Sequence, residues 1–315
     1  MNLHWRGYED FAHYDKLAGG PDSHLKTVVE LAKTFHEPLW AACLYVATYN
    51  VPMAETLKVA FPHSSDLSGL EQWLVVNWPM IFRRERQRPV GSPIKLTDCL
   101  ESCAYWIQQH GSKLAHIETY DELWHLSSEI AYFGRYAQMK FLETLRRMGL
   151  ITPMIPDIRA KGGWSPREGL ILLHPEEADL IRSNDILAVE ELAGLTFKEL
   201  NQHLAIRATK IDRYEFQVFL CDYKQVAVTQ RQYPGRSLDS ELKYFHLAQR
   251  YNEFNGEAMM AARGRLFPSW ALGEVQGWNG VREELGTFFV NTSMMWSDSL
   301  YAWKSMTDPY TPVEK

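Results

Sequence analysis

The stretch TYDELWHLSSEIAYFGRYAQMKFLETLRRMG, running from Thr119 to Gly149, decides how this chain is read. Thr119 followed three residues later by Glu122 has the pattern of a capping box, and Gly149 is a natural C-terminal stop. Between them Leu126, Ile130, Phe133, Ala137, Phe141, Leu145 and Met148 recur at helical spacing. The pattern predicts one helix over residues 121–149, kinked at Gly134, where glycine costs about 1 kcal/mol against alanine.

Beside the apolar face the same rotation lines up His125, Glu129, Tyr132, Tyr136, Lys140, Glu143 and Arg147 within about 80° of one another. Two tyrosines between acids and bases, along the edge of a core, have the make-up of a polar pocket wall. In such a wall Glu129 or Glu143 serves as a general base, Lys140 holds an anion, and the tyrosines stack or hydrogen-bond. The competing reading is a solvated flank, in which Glu143 and Arg147 form an ordinary i,i+4 pair.

Outward from this stretch the chain reads as helix after helix. Residues 25–36, 39–49, 54–61, 67–82 and 96–110 carry helical periodicity, and 39–49 is apolar nearly all round, as a buried helix must be. Pro89, Gly91 and Pro93 mark a loop, and Pro153, Pro156, Gly162 and Gly163 make 151–164 the best boundary. Two regions follow, 1–150 with the basic and polar-pocket motifs and 151–315, mainly helical, packed with the first as one catalytic unit. In the second, 170–173 reads as a short strand, 177–184 and 197–208 as helices, 214–228 as either, and 239–263 as a helix broken at Asn255-Gly256. The fold class is mostly α, with room for a few short strands in the C-terminal half.

Composition narrows the function. Of 315 residues 46% are hydrophobic and 23% charged, an ordinary globular balance. A net charge of −6 argues against a protein coated in positive charge, but permits a local basic groove. That groove's candidate is Arg83-Arg84-Glu85-Arg86-Gln87-Arg88, preceded by Trp78 and Phe82. Arginine forks match phosphate oxygens, and the rings add stacking surface; a solvated charge run is the alternative. Glu253 and Glu257, four apart near Arg250, could hold a divalent metal or frame an amine, or simply face solvent.

Four cysteines make no disulfide framework, and Cys99 and Cys103 lack partners for a zinc set. With no apolar run near the ~20 residues of a membrane span, the expectation is a cytoplasmic protein with reduced thiols and no membrane partner. There is no GxGxxG, GxxxxGK[ST], HExxH or GxSxG, which removes common kinases, dinucleotide oxidoreductases, zincins and hydrolases.

The block from Glu129 through Tyr132, Gly134, Arg135, Tyr136 and Lys140 to Glu143 resembles a motif of bacteriophage DNA-hypermodification enzymes. So does the pairing of Tyr49-Asn50 with Arg83-Arg84-Glu85-Arg86. The family is the amino acid:DNA transferases, also called α-glutamyl/putrescinyl-thymine pyrophosphorylases. The resemblance implies a helical fold related to DNA glycosylases and a reaction on DNA containing 5-(pyrophosphoryloxymethyl)deoxyuridine. An amine from an amino acid or polyamine would displace pyrophosphate, in the cytoplasm of an infected bacterial host.

By that resemblance Arg83, Arg84, Arg86, Arg135 and Lys140 lie near phosphates, although Arg135 falls away from the stripe holding Lys140. Glu129 or Glu143 lies near the amine, with Glu253 and Glu257 as further contacts, and Tyr49, Asn50, Tyr132 or Tyr136 against the base. No metal ligands and no cofactor are assigned; a divalent metal stays an open alternative. The glycosylase pattern itself is missing, with no helix-hairpin-helix Gly-x-Gly turn and no downstream catalytic Asp. A glycosylase-like repair or restriction enzyme, and a non-catalytic helical nucleic-acid-binding module, are the alternatives.

Overall fold

Residues 38–48, PLWAACLYVAT, carry no charge, and a helix of that composition can be satisfied only by burial on every side. In the computed structural model they do form such a helix. The structure describes residues 3–78, 91–225 and 248–267, with positions 238, 241, 244, 245 and 272. Those residues are mostly helical, and no strand occurs among them. The chain divides into two compact units, one drawn from Met1–Ser23 and Ile155–Ser240, the other from His24–Met154 and Glu241–Leu266.

Along the first part run α1 (Leu3–Leu17), α2 (Ser23–Ala32), α3 (Pro38–Thr48) and α4 (Val51–Ala60). Then come α5 (Leu70–Asn77), α6 (Pro93–His110), α7 (Tyr120–Ser127) and α8 (Arg135–Arg147). In the unit built from His24–Met154 and Glu241–Leu266, α3 is the hub, buried from Trp40 to Thr48 and packed against α4, α6 and α8. Pro38 sits in its first turn, where a missing N–H costs nothing. Buried donors are matched locally: Trp40 Nε1 donates to the Phe61 carbonyl at 2.8 Å and Trp106 Nε1 to that of Leu126 at 2.8 Å. Pro93, read from sequence as loop, is instead the first residue of α6, capped by Ser92 Oγ accepting from Lys95 N at 3.3 Å.

The other unit gathers α1 with α9 (Trp164–Leu173), α10 (Ala178–Arg182), α11 (Ile186–Ala205) and α12 (Arg213–Lys224). Its core joins Tyr8 and Phe11 of α1 to Leu170, Leu200, Phe216, Phe219 and Tyr223. Asp212 opens α12 with a capping box closed by Glu215, which also pairs with Lys16. Residues 170–173 are therefore the end of a helix, and the strand expected there is not formed. The apolar run is short enough to suit either state, and helix wins because α9 must lie flat on α12. The ambiguous segment from 214 is likewise helical, through Lys224.

The 121–149 helix is two helices. Thr119 Oγ1 does cap the first, accepting from Glu122 N at 3.3 Å, and Gly149 does end the second, at φ 74°. Between α7 and α8 the chain leaves helix at 128–134. Ser127 Oγ and Ser128 Oγ both donate to carbonyls three residues back, Trp124 and His125, competing with the helix's own bonds. Tyr132 then takes φ 65°, a left-handed conformation, and Gly134 is the N-cap of α8. Ile130 and Phe133 still reach the core, so helical spacing of apolar residues was met by a loop.

Three substitutions test this architecture. A Cβ on Gly169 would run into the carbonyl oxygen of Leu220, backbone that cannot yield. Gly169→Ala should lower stability by about 1–3 kcal/mol or more in urea unfolding, whereas Gly194→Ala, with open space around it, should not. In α4, burial pushes the Glu55 carboxyl above its ordinary 4.5 despite Lys58 Nζ at 2.5 Å. The folded state then holds this proton more tightly than the unfolded chain, so the contribution is lost as pH rises above about 4.5. Glu55→Gln should flatten the fall of Tm with pH above that value.

Candidate active site

Tyr49 is the residue at which α3 turns into α4. Its backbone is left-handed, φ 48° and ψ 39°, a conformation that costs a non-glycine residue about 1–2 kcal/mol. The turn aims the next residue, Asn50, to cap α4 through Oδ1, which accepts from Met53 N at 3.0 Å. Asn50 Nδ2 is buried and has no hydrogen-bond partner among the described residues, an open donor of the kind that a ligand satisfies.

The Tyr49 hydroxyl meets that of Tyr136, in the first turn of α8, at 2.6 Å, with the rings edge to face at 5.6 Å. Behind Tyr136, one turn along, the Lys140 ammonium lies 5.8 Å from the centre of its ring. Lys140 Nζ donates to Glu143 Oε2 at 2.7 Å; the two side chains are 0% and 3% exposed. Glu143 Oε1 faces Arg147 Nη2 at 3.6 Å. On the other side, His24 packs against Tyr45 at 5.8 Å and edge-on to Tyr49 at 5.3 Å.

A lysine and a glutamate wholly removed from water pay several kcal/mol of desolvation, which their attraction offsets only when geometry is good. An apolar pair of similar volume would hold α8 in place as well, so stability does not explain this one. Next to two hydroxyls sharing a short hydrogen bond, it makes a group able to polarise a phenol and relay a proton.

The structure scatters the rest of the stripe. Glu129, in the loop after α7, is half exposed and bound to His110 Nε2 at 2.9 Å. Tyr132 is exposed and donates to Asp98 Oδ2 at 3.2 Å; partial desolvation and that carboxylate hold its hydroxyl above the ordinary tyrosine range. His125 lies on α7 and is exposed. Arg135 opens α8, half-buried, one residue before Tyr136. Arg83, Arg84 and Arg86 lie outside the described residues. Glu253 and Glu257 do not share a helix face, because the last described helix, α13 (Gly256–Leu266), begins between them, capped by Asn255 accepting from Ala258 N at 3.2 Å. Glu253 instead accepts from Trp73 Nε1 at 3.5 Å, beside the stacked rings of Trp73 and Tyr251. Burial and the Glu253 carboxylate push the Tyr251 hydroxyl up to about 12.

His24 and Tyr45 were not singled out by sequence reasoning. Tyr45 carried a signal, since it stands one turn before Tyr49 on α3; His24 carried none. A cavity of about 440 Å³ in the other unit, lined by Trp164, Glu168, Arg182 and Lys224, was also unforeseen. Its charges are largely spent, with Lys224 on Glu168 at 2.5 Å and Arg167 on the carbonyls of Ile181 and Ser183. The tyrosine–lysine–glutamate cluster is the stronger candidate, because its groups can move protons.

Comparison with known proteins defines the class first, a transferase acting on DNA: a family model described as amino acid:DNA transferase matches residues 33–232, more than half of the chain. The chain belongs to the amino acid:DNA transferase family. The match takes in Tyr49, Asn50, Tyr136, Lys140 and Glu143, and ends before Glu253 and Glu257. No curated protein and no solved structure matches the chain. Among the described residues no helix is long and apolar enough to cross a membrane.

Breaking the buried pair separates its structural from its chemical part. Lys140→Met removes the cation 2.7 Å from the buried Glu143 carboxylate and should cost about 3–5 kcal/mol in chemical unfolding. Lys140→Met with Glu143→Leu should recover most of that loss, since nothing charged is left buried.

Proposed function

We propose that the protein replaces the pyrophosphate of 5-(pyrophosphoryloxymethyl)deoxyuridine in DNA with an amine from an amino acid or polyamine. Family membership supports the coarse reaction, and the observation that carries the finer one is the buried Lys140–Glu143 pair backing the Tyr49–Tyr136 hydroxyls. In this reaction the carbon–oxygen bond to pyrophosphate breaks, a carbon–nitrogen bond forms, and one proton leaves the nitrogen.

In this reading the two tyrosines face the extruded base and its substituent, with Asn50 Nδ2 as a further donor. Lys140 is fully buried, so it acts as a positioning residue, its charge polarising Tyr136 toward the departing oxygen rather than gripping phosphate itself. Glu143, buried with Lys140, is the carboxylate of the cluster, and it would receive the amine proton by relay through the cluster rather than by touching the amine. The arginine run from Arg83 supplies phosphate contacts. The setting proposed is the cytoplasm of a phage-infected bacterium, where modified DNA and small amines meet.

The test offers the protein DNA carrying the pyrophosphorylated base together with single amino acids and polyamines, followed by digestion and mass spectrometry of the nucleosides. One amine should yield a nucleoside whose mass shows that amine in place of the pyrophosphate, with pyrophosphate released in equal amount. Alkali-labile nicks without an adduct would replace this reading with base excision. Tyr136→Phe, which removes one hydroxyl and little else, should slow adduct formation by about 10²-fold while leaving Tm nearly unchanged.

A further inference from the structure

On the far side of α3 from its Tyr49 end, three side chains converge that the transfer reaction does not use. His36 Nε2, Glu37 Oε1 and His63 Nδ1 form a triangle with sides of 3.0 Å between the imidazole nitrogens, 3.2 Å from His63 to the carboxylate, and 3.8 Å from His36 to it. We propose that this triangle is a binding site for a divalent transition-metal ion of the zinc type.

The spacing of the three atoms fits such an ion. A point equidistant from the three atoms lies about 2 Å from each, the length of zinc–imidazole and zinc–carboxylate bonds. Two imidazoles and one carboxylate suit zinc, cobalt or nickel rather than magnesium, which demands oxygen. The imidazoles are 51% and 55% exposed, so the face opposite the triangle is open to a water ligand or an incoming donor.

The ligands are also held in place before any ion arrives. Glu37 is the N-cap residue of α3, yet its side chain makes no cap bond. Instead Oε2 accepts from Ser64 N at 3.0 Å, which leaves Oε1 turned toward the two histidines. The segment carrying His63 is tied to α3 by the buried bond from Trp40 Nε1 to the Phe61 carbonyl. All three residues fall within the family match, but none is part of the tyrosine–lysine–glutamate cluster. An ion here would clamp the start of α3 to the loop after α4.

The experiment uses the full-length protein, stripped with chelator, desalted and titrated with Zn²⁺ by calorimetry, with Co²⁺ absorption as a second probe. One zinc per chain and a raised Tm are expected in the wild type, and neither in His36→Ala/His63→Ala. Both imidazoles are half exposed, so that variant should keep its circular dichroism. Glu37→Gln retains the Ser64 contact and both histidines, and should weaken binding by more than about tenfold. Equal zinc stoichiometry in wild type and double variant overturns the proposal. So does a cobalt spectrum with thiolate charge-transfer bands, which would put the ion on the buried cysteines.

Discussion

The burial of α3 on all sides is the constraint from which the surrounding unit follows. A helix with no charged residue and nine apolar side chains from Leu39 to Ala47 must be enclosed, and α4, α6 and α8 supply the enclosure. Enclosing it places Tyr49, at its C-terminal end, against α8. The same enclosure brings Cys43 of α3 beside Cys103 of α6, where burial and the neighbouring sulfur push the Cys103 thiol well up. These cysteines are packing, as their apolar setting requires.

The candidate site is built at the cost of stability within this frame. A left-handed tyrosine, a buried amide donor lacking a partner and a desolvated Lys–Glu pair are each unfavourable alone. They occur within a short stretch of α3–α4 and two turns of α8. Strain of this kind persists where the surrounding packing over-determines it, and it clusters where chemistry is done. The triangle proposed to hold an ion at the opposite end of α3 differs in kind: its two histidines are exposed, and its order comes from hydrogen bonds outside it, Ser64 N to Glu37 and Trp40 Nε1 to the Phe61 carbonyl.

Much of the helical content was legible from residues alone. The capping Thr119, the terminal Gly149, the all-round apolar 39–49 and the Pro/Gly cluster after residue 150 each act through local sterics and hydrogen bonding, which the chain carries with it. The misreadings share one cause. Periodicity reports which residues must be buried and not which backbone buries them, so Ile130 and Phe133 entered the core from a loop. Leu170–Leu173, short and apolar, did so from a helix.

What the sequence by itself determined is therefore the class of fold and the side chains on offer to a candidate site: a helical protein with tyrosines, a lysine and a glutamate recurring along one face. What only the tertiary structure decided is which of them stand together. Once Tyr132 turns left-handed and α7 ends, Glu129 goes to His110 and Tyr132 to Asp98, while Tyr136, Lys140 and Glu143 keep their common face. The partner that completes them, Tyr49, lies 87 residues earlier, a pairing that no helical period can encode. Long-range contacts of this kind are set by how buried helices pack, and the opening 31-residue stretch became a site only through α3.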